Sequence, residues 1–116
     1  MNFTFSQLLK LFNKDENFRL FKESKHGFER ECLRINSKGE LSKTAHPKSL
    51  GSALKNPFIT TDFSEAQLEL ITPPLNSEET TLRFIDEVYN FVTRNLDNEY
   101  LWPANMPCKL PKEKDI

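Results

Sequence analysis

The chain has 116 residues, with 16 Lys and Arg against 17 Asp and Glu, so its formal net charge is −1. That length suits one domain or a piece of one, and near-neutral charge removes the sequence-independent pull on phosphate backbones that nucleic-acid binding relies on. Hydrophobic residues make up 37%, below the apolar share of roughly 45–50% usual in globular domains, yet ten Phe argue against disorder; the balance suits a folded region with a thin core, finished by more chain or by a partner.

Phe5, Leu8, Leu9 and Phe12 recur at helical spacing, with Thr4 or Ser6 as cap, Lys10 and Lys14 on the wet face, and the polar stretch Asn13–Asn17 as the end. Asp15 and Glu16 within Met1–Phe18, and the lack of a long apolar stretch there, argue against a signal or transit peptide. His26–Asn36 reads as a strand closed by the turn Asn36-Ser37-Lys38-Gly39. Phe28, Arg30, Cys32 and Arg34 then share one face, and Glu29, Glu31, Leu33 and Ile35 the other. A short strand at Glu40–Leu41 would complete a hairpin. Ser42–Pro57, with Pro47, Gly51 and Pro57, reads as a structured loop. Phe58–Pro73 is strand-like, broken around Ser64–Gln67 by residue types that favour a turn or helical segment. Ser77 caps a helix whose first turn carries Glu78 and Glu79 and whose buried stripe is Leu82, Ile85, Val88, Tyr89, Val92 and Leu96. The tail Trp102–Ile116 contains three prolines and ends in charged residues. Two long strands make a poor independent sheet, which strengthens the expectation that more chain or a partner completes the fold. No apolar run approaches the ~20 residues of a membrane span.

Gly27, Gly39 and Gly51 never cluster, so neither a phosphate-cradling loop nor a dinucleotide-binding turn is present. A nucleotide handled by this chain needs its phosphates neutralised through a metal held by carboxylates. Cys32 and Cys108 have no metal-type spacing and read as reduced thiols of a cytoplasmic protein, in preference to one long-range disulfide.

Glu29 and Glu31 project to the same side of their strand, where they repel unless a cation lies between them. Taken alone, the pair reads first as a solvated strand face. Asp62, Glu65 and Glu69 interrupt a segment that otherwise wants burial, and embedded carboxylates are costly unless paired or metal-bound. Asp62 and Glu69 are seven apart, so on an unbroken strand they face opposite ways; sharing a site requires a bulge or turn between Phe63 and Gln67. If that turn exists, Glu29, Glu31, Asp62 and Glu69 offer four oxygen ligands suited to Mg²⁺ or Mn²⁺ rather than zinc.

Gly27-Phe28-Glu29-Arg30-Glu31-Cys32-Leu33-Arg34 resembles the G-[hydrophobic]-E-R-E-x-L-R motif of bacterial glutamate–cysteine ligase (γ-glutamylcysteine synthetase). The run His46–Pro73 is similar to that family's second signature, and Trp102–Cys108 resembles its W-P-x-S-M-P-C segment. The resemblance covers nearly all of this chain and the N-terminal part of a much longer enzyme. It implies an α+β fold in which residues 1–116 form the N-terminal segment of the catalytic domain. That segment is part of an antiparallel sheet with flanking helices, in a glutamine synthetase-like architecture. It further implies ATP-dependent joining of the glutamate γ-carboxylate to the cysteine amino group through an acyl phosphate, the first step of glutathione synthesis, with Mg (or Mn) as cofactor and ATP as co-substrate. On this likeness Glu29, Glu31 and Glu69 are metal ligands, Asp62 a fourth, and Phe63 lies beside the cysteine substrate; no catalytic residue is assigned.

The milder readings run alongside. Thr60, Thr61 and Ser64 either support the carboxylates or favour extended backbone; Arg30 and Arg34 suit structural ion pairs; His46 suits loop structure; Trp102 suits a packing anchor; Cys108 suits an inert thiol. Cys32, Gln67 and Asn105 depart from the family's common Thr, apolar residue and Ser. The family's later metal ligands and phosphate-binding basic residues are missing, so the chain alone is expected not to catalyse ligation and to need the C-terminal portion of such a ligase. The alternative is a non-catalytic module, derived from such an enzyme, that binds a metal or a subunit.

Overall fold

A computed structural model describes residues 2–112; of the tail read above, 113–116 lie outside it, as does Met1. The elements run α1 (Phe5–Phe12), α2 (Asp15–Lys22), β1 (Glu29–Ile35), a single 3-10 turn at Lys48–Leu50, β2 (Ile59–Thr61), β3 (Gln67–Ile71), α3 (Glu78–Asn95) and β4 (Tyr100–Leu101). The four strands form one antiparallel sheet in the order β2-β3-β1-β4.

Thr4 caps α1 reciprocally, its hydroxyl accepting from the Gln7 N–H while the Gln7 side chain accepts from the Thr4 N–H. The polar stretch ends α1 as expected, but Asp15 and Glu16 within it start a second helix, complemented by Arg19 and Lys22 in the last turn. Phe18 and Phe21 carry too short a pattern to have announced it. Phe12 and Phe21 meet edge to face, 5.4 Å between centroids, yet neither helix buries a residue.

The expected hairpin after β1 shrinks to isolated bridges. Leu41 bridges Ile35, while Glu40 turns to Lys109 in the tail, so the two residues divide their partners and no second strand forms. The turn itself follows its residues: Asn36 Oδ1 accepts from the N–H groups of Lys38 and Glu40, and Gly39 takes φ 72°. The 58–73 segment splits as its residue types indicate, into β2, a turn and β3.

α3 starts at Ser77, whose hydroxyl accepts from the Thr80 N–H. Its buried face is Thr81, Ile85 and Val92, with Val88, Tyr89 and Leu96 partly covered. Leu82, placed in the stripe by sequence, is instead 59% exposed, because the stripe runs through residue 81, whose hydroxyl is satisfied by the Ser77 carbonyl. The core face of the sheet, Cys32, Ile59, Leu68 and Leu70, packs with Leu50, Ile85, Val92 and Leu101. The other face carries Glu29, Glu31, Thr60, Gln67 and Glu69, none of them buried. With a radius of gyration of 19.2 Å, the chain is well above the ~13 Å of a 100-residue globule.

Candidate metal centre

In the antiparallel pairing of β1 and β3, Glu31 stands directly opposite Glu69, with Glu29 two residues along the same face. On β2, Thr60 pairs with Glu69 from the other side. Between β2 and β3 the chain reverses: the Asp62 N–H donates to the Gln67 carbonyl at 3.1 Å, and the Gln67 N–H to the Ser64 carbonyl at 3.0 Å. The required turn between Phe63 and Gln67 is therefore present, and Asp62, two residues beyond Thr60, returns to the carboxylate-bearing face.

The electrostatics register this gathering. The Glu69 carboxyl is pushed above the usual carboxylate range, first by desolvation and then by the charges of Glu29, Asp62 and Glu31. The three ion pairs among the described residues join Arg19 to Glu23, Arg34 to Glu99 and Lys109 to Glu40, so none of these four carboxylates is neutralised by a cationic side chain. Among the described residues no three His, Cys, Asp or Glu side chains are drawn together as a metal-holding group. Glu31 Oε2 accepts from Gln67 Nε2 at 2.6 Å. The donor set, all carboxylate oxygen with no nitrogen or sulfur, fits a hard divalent cation. Phe63 lies in the turn, 91% exposed.

A cleft of about 470 Å³ borders the acidic face, lined by Glu31, Leu33 and Gln67 on one side and by Trp102, Met106 and Pro107 on the other. Trp102 braces its own loop, its indole N–H donating to the Met106 carbonyl. A larger cleft, about 580 Å³, lies between Asn36–Thr44 and Lys109–Lys112. It offers less chemistry, because its carboxylates are already engaged, Glu40 by Lys109 and Glu99 by Arg34, Ser42 and Thr44.

Arg34 is fully buried on the core side, and its guanidinium donates to Glu99, to Thr44 Oγ1 and to the carbonyls of Thr44, Ala45 and Glu65. Burial alone pushes the Glu99 carboxyl up, but hydrogen bonds from Ser42, Thr44 and Arg34 together hold it below the usual range. Arg30 lies 4.7 Å from the Tyr89 ring centroid. Arg34 makes the structural ion pair expected of it, whereas Arg30 makes none among the described residues and lies over the Tyr89 ring instead. Glu99 carried no signal in sequence, since its partner lies 65 residues away. The thiols of Cys32 and Cys108 are free, buried and raised by desolvation. His46 is half-buried with neither ring nitrogen partnered.

Residues 9–116 match the family model described as glutamate-cysteine ligase. The chain belongs to the glutamate–cysteine ligase family. It is 49% identical over its whole length to the glutamate–cysteine ligase of Azotobacter vinelandii, of which it covers 22%, and 43% identical to that of Clostridium acetobutylicum, of which it covers 24%. The chain thus spans less than a quarter of the length of these curated relatives. Among solved structures it resembles a bifunctional glutathione synthetase from Pasteurella multocida, with TM-score 0.80 and 40% identity over 84% of this chain and 14% of that one. It also resembles the glutamate–cysteine ligase of Francisella tularensis in complex with AMP, with TM-score 0.76 and 36% identity over 81% of this chain and 19% of that one. The α+β architecture with an antiparallel sheet expected of glutamate–cysteine ligases is the one observed. No helix among the described residues is long and apolar enough to cross a membrane.

Proposed function

We propose that residues 1–116 form the N-terminal segment of a cytoplasmic glutamate–cysteine ligase domain and carry part of its Mg²⁺ (or Mn²⁺) site. The reaction is the ATP-dependent joining of glutamate and cysteine. A carboxylate is a poor electrophile, and phosphorylating the glutamate γ-carboxylate gives an acyl phosphate that the cysteine amine can attack. The bound cation supplies neutralisation of phosphate charge during the transfer. Glu29, Glu31 and Glu69 would hold such a cation from adjacent strands, with Asp62 joining them from the turn. The rigidity of the β1–β3 ladder keeps the donors in register. Phe63, exposed on the same turn, is available to a substrate on that side.

The observation that carries this reading is the direct pairing of Glu31 with Glu69, neither of which forms an ion pair with a cationic side chain among the described residues. Among the described residues the strand positions of that face, Glu29, Glu31, Leu33, Thr60, Gln67, Glu69 and Ile71, include no basic side chain for ATP phosphates, and the isolated segment is read as inactive. The pure chain, given glutamate, cysteine, ATP and Mg²⁺, is expected to release no ADP above background; cysteine-dependent ADP release would overturn the claim of inactivity. Manganese titration should show an ion taken up by the wild type and lost in Glu31→Gln and Glu69→Gln; uptake that survives both changes would overturn the site.

One observation favours a second reading, a non-catalytic module that docks a subunit: Phe5, Phe12, Phe18 and Phe21 are all exposed on α1 and α2. Restoration of ligase turnover by mixing this chain with the complementary part of the Azotobacter vinelandii relative supports the catalytic reading; tight association without turnover supports the module.

A further inference from the structure

We propose that the free edge of β1 takes a further strand, supplied by the part of the ligase outside these residues. The inference rests on the reading of this chain as a segment of such a ligase, and not on the metal site. In the ladder with β3 the main-chain bonds fall to the even positions of β1. The Thr72 N–H donates to the Phe28 carbonyl at 2.9 Å, and the Arg34 N–H to the Ala66 carbonyl at 2.7 Å. The N–H and C=O groups of Glu29 and Glu31 therefore point to the opposite edge. There β4 pairs only with Arg34 and Ile35, and one more bond runs from the Trp102 N–H to the Leu33 carbonyl at 2.8 Å. Pro103 follows, and the chain bends through residues 104–106, held by the indole bond to the Met106 carbonyl. Among the described residues nothing pairs with the outward main-chain groups of Glu29 and Glu31.

Beneath this edge the surface is apolar. A cleft of about 520 Å³ opens between β1 and α3, lined by Phe28, Arg30, Leu82, Ile85, Asp86 and Tyr89. No β3 residue lines it, which puts it on the side of β1 away from β3. Leu82, 59% exposed, and Phe28, 43% exposed, border it. An extended segment laid along residues 29–31 bonds the free main-chain groups and, because strand side chains alternate, drops every second one into the cleft. Unpaired backbone and uncovered apolar surface are thus met by the same strand. The carboxylates select its source. A second copy paired edge to edge about Arg30 sets each Glu29 across from a Glu31, and like charges directly opposed destabilise a sheet. The entering strand is apolar toward α3 and carries no carboxylate toward Glu29 and Glu31. This chain covers 22% of the Azotobacter vinelandii relative, so most of a ligase lies outside it.

The test replaces the matching part of the Azotobacter vinelandii ligase with this chain and follows hydrogen–deuterium exchange at single residues by mass spectrometry. The amides of Glu29 and Glu31 are expected to exchange as slowly as those of Arg30 and Cys32, on the order of 100-fold slower than in an unstructured peptide. Slow exchange at Arg30 and Cys32 with fast exchange at Glu29 and Glu31 means a bare edge and overturns the proposal. Leu82→Glu puts a charge in the cleft and should speed Glu29 and Glu31 about ten-fold while leaving Cys32 unchanged; unchanged rates at all of them overturn it too. Protection of Glu29 and Glu31 that disappears on dilution marks a second copy as the occupant, against the proposal. Ligase turnover is read on the same chimera. Turnover with a bare edge leaves the ligase reading standing without the strand, and protection of all four amides without turnover does the reverse. Fast exchange at all four overturns both.

Discussion

The N-terminal helices and the sheet with α3 are built from the same kind of pattern and end in opposite states. α1 and α2 present apolar faces at helical spacing and bury nothing, whereas Leu68, Leu70 and Val92 are completely removed from water. Periodicity specifies which side of an element is apolar. It does not say whether a partner lies within reach. β1 and β3 find each other because pairing satisfies their backbone groups at the same time as it buries one face. α1 and α2 satisfy their own backbone, so they form without being covered.

Matched substitutions in the two regions sharpen this contrast. The largest difference is expected between two arginines. Arg34→Met leaves Glu99 desolvated without its partner and should cost about 3–5 kcal/mol by urea denaturation. Arg19→Met, which removes an exposed pair at 3.6 Å, should cost less than about 0.5 kcal/mol; comparable losses would mean that the helices share the core's cooperativity.

The Arg34–Glu99 network also fixes a sign for pH. Because the folded-state Glu99 carboxyl lies below its usual range, its contribution is full above the unfolded carboxylate value and is lost as pH falls through the lower, folded value. Unfolding midpoints should therefore drop on acidification below about pH 5, and Glu99→Gln should flatten that part of the profile. No pair in α1 or α2 should change it detectably.

The smallest effect is a comparison of caps. Ser77→Ala should lower global stability by about 1 kcal/mol. Thr4→Ala removes an equivalent bond from α1 but should reduce only local helicity, read by circular dichroism, with the unfolding midpoint unmoved. A midpoint shift in Thr4→Ala equal to that of Ser77→Ala would erase the distinction between the regions.

The placement of the candidate site's carboxylates was largely legible in the sequence. Strand alternation put Glu29 and Glu31 on one face and both arginines on the other, as observed. The seven-residue interval from Asp62 to Glu69 demanded a turn that is there. Gln67 was legible in principle, since it alternates with Glu69 on β3, but its partner depended on which residue of β1 lay diagonally opposite. α2 escaped notice because its apolar residues, Phe18, Leu20 and Phe21, fall within eight residues, too few to repeat a period. Leu82 misled because residue type implied burial, while the helix's rotation favoured Thr81 and its satisfied hydroxyl.

What the residue order determined by itself was local: caps, turns, strand faces and the sign of charge along each face, all consequences of backbone geometry and spacing over a few residues. Only the tertiary structure decided the rest: that Glu31 lies across from Glu69, that Arg34 meets Glu99, and that the phenylalanines of α1 and α2 stay in water. Those outcomes depend on register and on contacts between distant segments. Many arrangements of the chain satisfy the same local rules, and the packed sheet selects one of them.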